Sequence, residues 1–204
     1  MNTEAAPTVE LLAITPNSER LIEEAGRTCY LSFDKMTDDS SKRFIRMVVK
    51  NGHHSVLEHA SATFRIKGGS RSFTHQIVRH RVASFSQQSQ RYVSEDEFQI
   101  VIPPSIKANA QALAVFNGLI EHARTAYAEL KGLDIRKEDA RFVLPNAVTS
   151  EIVVSANFRE WRHILEVRLE KGAQWEIRLI CDEILKVLAA QAPTVFEDMV
   201  SPQG

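Results

Sequence analysis

The sequence predicts a single α+β domain over residues 1–204, with a small, mostly antiparallel sheet and several helices, one of them long and amphipathic. The chain is 44% apolar and 25% charged, as expected of a globular domain that buries its own core. No internal repeat and no long linker divides it. Helical patterns alternate with a few strand patterns without a regular strand-helix-strand order, which favours α+β over a doubly wound parallel sheet.

Two helices are predicted in the first fifty residues. Thr15-Pro16 is typical of a helix start because proline suits the first helical position, and the apolar spacing that follows places Cys29 on the buried face. A second helix runs from Ser40 to about Lys50, where apolar residues again recur at helical spacing. Gly52 is positioned to end this second helix.

A strand and a short helix follow. Polar and apolar residues alternate strictly over residues 59–67, which predicts a half-buried strand that Gly68-Gly69 ends. Ser70 then offers a cap for a short helix, in which Phe73 and Ile77 lie one turn apart on the same face.

The second half of the chain contains the long helix. Apolar residues at helical spacing run from Ser105 to about Lys131, and Gly132 marks the end. Before it, residues 98–102 form a short apolar run that Pro103-Pro104 closes, which predicts a strand. Shorter patterns predict a helix over residues 137–142 and a strand over 151–156. A capping box predicts that another helix starts at Asn157, and the last helix is predicted over 174–191.

The overall charge and composition exclude several classes of protein. The chain has 25 Lys and Arg against 26 Asp and Glu, so no global charge attracts a nucleic acid or an anionic membrane. No basic residue opens the N-terminus as in a secretory signal, and no apolar run approaches the roughly 18 residues of a membrane span. Two widely spaced cysteines predict neither a disulfide scaffold nor a thiolate metal site, which favours a reducing cytoplasm.

One stretch departs from this balance, because residues 59–94 contain no Asp or Glu. Its cations are mostly arginines, which suit two-pronged hydrogen bonding to phosphate or carboxylate. Serine and glutamine residues between positions 84 and 90 add hydroxyl and amide groups, as a pocket for a small polar ligand requires. The six cations are Arg65, Lys67, Arg71, Arg79, Arg81 and Arg91.

Two other interpretations of this basic stretch stay open. A run of cations is commonly a solvated face with no ligand. A nucleic-acid surface is the other alternative, since Phe73, Phe85 and Tyr92 are available to stack on bases, although the near-neutral total charge weighs against it.

Several familiar sites are missing from the sequence pattern. The eight glycines form neither a dinucleotide fingerprint nor a phosphate loop, so a nucleotide cofactor has to be held by side chains. His53, His54 and His59 lack the spacing of a helical metal site, and no metal is expected. Ser89 has no nucleophile elbow around it, which favours a hydrogen-bonding role.

Arg168 interrupts an apolar helix face. Trp161, Leu165 and Arg168 share one side of the helix that starts after Asn157, so a cation stands where the next apolar residue is expected. Its long side chain either extends to solvent or pairs with Glu170 or another acid, or it lines a cleft as a functional cation.

The string from Arg79 to Tyr92 resembles the signature of the flavin-dependent thymidylate synthase family, which is Arg-His-Arg, any seven residues, and Ser. Further blocks are similar to that family over residues 51–59, 140–145, 157–168 and 173–176. The resemblance implies reductive methylation of deoxyuridylate (dUMP) to thymidylate (dTMP), with methylenetetrahydrofolate as carbon donor and FAD, reduced by NADPH, as hydride carrier. It also implies a homotetramer with sites between subunits, and no protein nucleophile.

The resemblance also implies roles for individual residues. Arg168 matches the arginine that polarises the uracil ring, which gives the cation on the apolar face a catalytic purpose. Ser86 and Gln87 depart from the asparagine and glutamate frequent in the family. The FAD contacts carried over are Ser55, Arg79, His80, Arg81, Gln87, Asn157, Arg159 and His163. The dUMP contacts carried over are Gln76, Arg79, Gln87, Ser89, Gln90, Arg91, Arg141 and Arg168.

Overall fold

A computed structural model describes residues 4–200 and confirms the α+β fold class. Four strands form one antiparallel sheet in the order β1-β2-β4-β3. The strands are β1 Thr8–Ile14, β2 Ser61–Ser70, β3 Ser84–Gln87 and β4 Thr149–Asn157. The α-helices are α1 Ser18–Thr28, α2 Ser40–Lys50, α3 Arg71–Ile77, α4 Pro104–Lys107, α5 Ala110–Gly132, α6 Lys137–Ala140, α7 Phe158–Leu169, α8 Trp175–Gln191 and α9 Pro193–Phe196.

The described chain divides into two compact units. Unit I consists of residues 4–8, 66–77 and 86–152, and unit II of residues 9–65, 78–85 and 153–200. The prediction of one domain over the whole chain stays a prediction. Each unit has its own buried interior.

Unit I is built around α5. Phe98, Ile100, Ile120 and Val148 are buried together in one apolar cluster. The predicted long helix is confirmed in its end at Gly132 but is wrong in its start. Residues 104–132 form two helices because the Asn109 side chain accepts hydrogen bonds from the backbone N–H groups of residues 111 and 112, which opens a new helix.

Unit II is built around α7 and α8. The indole of Trp161 is fully buried, donates from Nε1 to the Ala62 carbonyl at 3.0 Å and stands edge-on to the Phe64 ring. The predicted cap of α7 is confirmed, because Asn157 Oδ1 accepts from the Glu160 backbone N–H at 2.8 Å. The predicted start of α8 is confirmed too, with Gln174 as its cap.

The first helix differs from its prediction at both ends. It begins at Ser18, because Thr15 is engaged with Ser61 through hydrogen bonds of 2.9 and 3.0 Å and Asn17 adopts a left-handed conformation. It ends at Thr28, so Cys29 lies beyond the helix and is exposed. The predicted burial of Cys29 is therefore wrong.

Two strand predictions in unit I also need correction. The strand predicted to end at Gly68-Gly69 continues to Ser70. Gly68 has a φ of 72°, and a Cβ atom at this position would lie only 2.8 Å from the Ala6 carbonyl oxygen, so the absence of a side chain lets the two backbone segments approach. The strand predicted over residues 98–102 is absent, since Ile100 forms only isolated bridges and no continuous ladder. The prediction of α2, by contrast, is confirmed at both ends.

Candidate functional site

The predicted site residues separate between the two units. Unit II contains most of the predicted FAD contacts together with Arg168, and unit I contains most of the predicted dUMP contacts. Those in unit II are Ser55, Arg79, His80, Arg81, Asn157, Arg159, His163 and Arg168. Those in unit I are Gln76, Gln87, Ser89, Gln90, Arg91 and Arg141.

His80 and Arg168 meet in unit II. The segment after α3 places His80 in the interior, where 6% of it is exposed, while Arg168 lies half-buried near the end of α7. Arg168 Nε donates a hydrogen bond to His80 Nε2 at 2.9 Å. The structure thus places Arg168 against the central histidine of the Arg-His-Arg segment.

The His80 imidazole is held in its neutral form. Burial is the main cause that lowers the pKa of His80 to about 4, and the neighbouring Arg168 guanidinium and His163 ring contribute in the same direction. Because Nε2 accepts from Arg168, the ring proton is on Nδ1. The Glu160 carboxylate lies 3.7 Å from that Nδ1, and burial raises the pKa of Glu160.

A cavity of about 760 Å³ lies in unit II next to this cluster. Asn157, Arg159 and His163 line it, and Glu160 contributes to the same wall. The Arg159 guanidinium is exposed but already engaged, because it donates to Glu58 at 2.5 Å. Three predicted FAD contacts are thus brought to one cavity whose cation is balanced by a carboxylate.

The remaining predicted contacts of unit II lie near the surface. Ser55 is exposed in the 3-10 segment His54–His59, whose other members include two lining residues of the cavity. Arg79 and Arg81 are exposed on either side of the buried His80. Within residues 4–200 their side chains form no hydrogen bond or ion pair, so both are available to an anion.

The amides of unit I form a hydrogen-bonded group. Gln87 Nε2 donates to the hydroxyls of Thr74 and Ser150 at 3.1 Å each. Gln88 Nε2 donates to Glu95 at 3.3 Å. Gln90 differs, because its Nε2 is buried and has no hydrogen-bond partner among the described residues. A buried amide donor of this kind is costly unless a ligand acceptor completes it.

Two predicted dUMP-binding arginines of unit I, Arg91 and Arg141, both contact Glu138. Arg91 Nε donates to Glu138 at 2.9 Å, and Arg141 Nε donates to the backbone carbonyl of that glutamate at 3.0 Å. Ser89 accepts at 3.3 Å from the Arg91 backbone N–H, and Gln76 donates to the Ser72 carbonyl at 3.1 Å. The acid-free stretch of the sequence is therefore not a continuous basic face, since acids from elsewhere in the chain neutralise part of it.

Glu95 is the most perturbed acid of unit I. Burial raises the pKa of Glu95 to about 7, against the opposing pull of Arg71. The pKa of Arg71 is itself lowered by burial and by the nearby Arg141. Tyr127 accepts from the Glu95 backbone N–H at 3.2 Å and so anchors this segment to α5.

Cys181 is not placed to act as a thiolate nucleophile, because the effect of its burial outweighs the opposing charge of Arg168. Cys181 is fully buried, and burial raises the pKa of its thiol to about 12. Cys29 is exposed after the end of α1. In residues 4–200, no cluster of three or more His, Cys, Asp or Glu side chains has a metal-binding arrangement.

Sequence reasoning missed the glutamates that contact the predicted cations. Glu58 and Glu138 bind arginines far away in the chain, and no local pattern signals such pairing. The burial of Glu160, which is 8% exposed, was missed as well. A capping box explains an acid at this position without requiring its burial.

Comparison with known proteins adds to this geometry. The family described as "Thymidylate synthase complementing protein" matches residues 10–194. A flavin-dependent thymidylate synthase of Geobacter sulfurreducens is 42% identical over 198 residues, covering 93% of this chain and 85% of the relative. That of Nitratidesulfovibrio vulgaris is 44% identical over 209 residues with the same two coverages. That of Corynebacterium diphtheriae is 43% identical over 199 residues, covering 89% of this chain and 79% of the relative.

The helices carry no sign of a membrane span. Between residues 4 and 200, none of them combines the length and the apolar character that crossing a bilayer requires.

Proposed function

Because the chain belongs to the flavin-dependent thymidylate synthase family, we propose that it is an enzyme that converts dUMP to dTMP by reductive methylation. Methylenetetrahydrofolate supplies the carbon, and FAD reduced by NADPH carries the hydride. The observation that supports this most directly is the hydrogen bond from Arg168 to His80, because it joins the proposed catalytic arginine to the centre of the Arg-His-Arg signature.

The residues of unit II suit a flavin nucleotide. The cavity of about 760 Å³ is within the usual range for ligand sites, and its walls offer guanidinium, imidazole and amide donors. Arg159, His163 and Asn157 hold the cofactor from the cavity, and Ser55, Arg79, His80 and Arg81 contribute from the neighbouring segments. The flavin supplies hydride transfer when it is bound.

The residues of unit I suit the nucleotide substrate. Arg91 and Arg141 bind its anionic group, which requires the Arg91 side chain to exchange Glu138 for a phosphate. The buried Gln90 Nε2 without a partner fits a carbonyl oxygen of the uracil ring. Gln76, Gln87 and Ser89 orient the ring edges, and Arg79 is a further dUMP contact in the same proposal.

Arg168 is the proposed catalytic residue. Its guanidinium cannot lose a proton, so it presents a permanent positive charge that stabilises the negative charge developing on the pyrimidine. The protein needs no nucleophile of its own in this scheme. The raised pKa of Cys181 agrees with that, because a thiol with a pKa of about 12 is not a thiolate at neutral pH.

The assembly and location belong to the same proposal. We propose a homotetramer in the cytoplasm with active sites formed between subunits. The exposed Arg79, Arg81 and Phe142, the last of them 82% exposed, are consistent with sites completed by another copy of the chain.

The test is a visible absorption spectrum of the purified protein after incubation with FAD and desalting. We expect a retained flavin spectrum that bleaches anaerobically with NADPH, followed by dTMP formation once dUMP and methylenetetrahydrofolate are added. Arg159→Ala should lower flavin retention, whereas Arg43→Ala, at an exposed arginine of α2, should retain as much as the unmodified protein. A folded protein that stays colourless would contradict the proposal.

A further inference from the structure

We propose that Glu160, which also contributes to the wall of the unit II cavity, is a positioning residue for Arg168 and acts on it through the His80 imidazole. The inference rests on the proposed catalytic role of Arg168. It concerns three side chains of unit II: Glu160 and Arg168 stand two turns apart on α7, and His80 comes from the segment that follows α3.

The geometry puts His80 between the other two side chains. Arg168 Nε donates to His80 Nε2 at 2.9 Å, and Glu160 Oε1 faces His80 Nδ1 on the other side of the ring at 3.7 Å. The side chain of His80 is 5% exposed and that of Glu160 10%. A carboxylate at this depth, beside one ring nitrogen, interacts with the ring through little intervening solvent.

The arrangement matters because an imidazole has two neutral tautomers. Only the form protonated on Nδ1 leaves Nε2 as an acceptor for Arg168, since a guanidinium has donors alone. In the other tautomer, two N–H groups would face each other. The negative charge of Glu160 beside Nδ1 favours the N–H on that side, so it stabilises the tautomer that Arg168 requires.

The same bond orients the guanidinium. The group is planar and rigid, so a fixed direction for its Nε–H sets the plane in which both terminal nitrogens lie. Small misplacements of a catalytic group cost large factors in rate, because the stabilisation of developing charge depends on geometry.

Other charges around the ring prevent the opposite outcome. A carboxylate alone would favour a doubly protonated imidazolium, which has no acceptor left for Arg168. Arg168 and the His163 ring, whose centroid is 5.7 Å from that of His80, both oppose that second proton. The ring therefore stays neutral while Glu160 selects its tautomer.

A double-mutant cycle tests the proposal in the full chain. Glu160→Gln removes the charge and should lower kcat by roughly tenfold with little change in KM for dUMP. In His80→Gln, an amide oxygen replaces Nε2 and has no tautomer to select. Glu160→Gln should therefore have no further effect in that background. Glu170→Gln, at an exposed acid two residues from Arg168, is the matched control and should behave like the unmodified protein.

A measurement on the flavin-free protein gives an independent readout. The ¹⁵N chemical shifts of the His80 ring report its tautomer, and we expect the Nδ1-protonated form in the unmodified protein. Glu160→Gln and Glu160→Leu should both raise the population protonated on Nε2. Glu160→Leu serves as the second variant, because it removes the polar group altogether while keeping an apolar side chain on the stripe of α7.

The outcomes separate this inference from the proposed function. If Arg168→Ala keeps full turnover, the catalytic role of Arg168 fails, and the inference fails with it. If Arg168→Ala is inactive but Glu160→Gln changes neither kcat nor the His80 tautomer, only the positioning role is overturned. An equal loss of kcat from Glu160→Gln with and without His80→Gln would overturn it as well, as would a loss of thermal stability alone.

Discussion

Unit II and unit I differ in how they hold the cations that are central to their predicted ligand contacts. In unit II, a buried neutral histidine accepts a hydrogen bond from Arg168, and Arg79 and Arg81 lie exposed on either side of it, although Arg159 is paired with Glu58. In unit I, Arg91 is paired with Glu138. Under the proposed function, the first arrangement orients Arg168 in advance, whereas the second requires Arg91 to exchange its carboxylate partner for the phosphate of the substrate.

The two units therefore stabilise the positive charge of an arginine side chain with different kinds of partner. The half-buried guanidinium of Arg168 donates to a neutral acceptor on His80, and in the proposed mechanism its permanent positive charge acts on the pyrimidine. An exposed arginine that binds a phosphate needs only to be in place, and a surface ion pair costs little to break.

The largest effect is expected at Arg168. Arg168→Ala should lower kcat by roughly 10²–10³-fold, the usual range for loss of one group that stabilises developing charge. Flavin retention and the melting temperature should change little, because the side chain is only half-buried. Steady-state kinetics with calorimetry on the same preparation checks both. A marked drop in melting temperature with normal kcat would remove Arg168 from the site.

The acid stability of the protein should depend on His80. Its pKa is about 4 in the folded protein against an ordinary value of 6.5, so the unfolded chain binds the extra proton first. The free energy of unfolding should therefore fall as the pH drops from 6.5 to 4. His80→Gln removes this slope, whereas His122→Gln, at an exposed histidine of α5, should keep it. Melting temperatures across that range provide the measurement.

Glu95 should act with the opposite sign in unit I. Its pKa is about 7 in the folded protein against an ordinary value of 4.5, so the folded protein keeps a proton that the unfolded chain loses. Stability should fall as the pH rises from 4.5 to 7. Glu95→Gln should raise the melting temperature above that of the unmodified protein more at pH 8 than at pH 5. The expected difference is about 2–4 °C for each kcal/mol of destabilisation that the substitution removes. Glu97→Gln, at an exposed neighbour, should not show this.

The smallest effects on turnover are expected at the cysteines. Cys29→Ala and Cys181→Ala should each retain the reaction, because neither thiol is proposed to bond to the substrate. Only Cys181→Ala should cost stability, about 1 kcal/mol, since that side chain is fully buried. Loss of turnover in a well-folded Cys181→Ala protein would contradict a mechanism without a protein nucleophile.

The sequence predicted those parts of the fold that depend on near neighbours. The bounds of α2, the cap of α7 and the buried alternation of β2 all follow from periodicity and capping within a few residues. The wrong start of the long helix has a local cause, the Asn109 cap, but two other errors arose where a distant contact prevailed. Ser61 engages Thr15 and delays α1, and the Ala6 carbonyl approaches Gly68 within a strand that was predicted to have ended.

The candidate site divides in the same way. The Arg-His-Arg signature and the unexpected cation on α7 were visible in the sequence, because one is a local string and the other breaks a local pattern. The structure adds that His80 is buried and accepts a hydrogen bond from Arg168, which lies 88 residues further along the chain. Only the tertiary structure could decide this pairing.

By itself, then, the sequence determined the fold class, the bounds of α2 and α8, the cap of α7 and which residue types gather around the signature, since short-range spacing encodes them. The tertiary structure decided which of those cations are neutralised by acids, which tautomer His80 adopts and which cysteine is buried. The physical reason is that pKa values, ion pairs and burial depend on groups brought together from distant parts of the chain, which no local pattern specifies.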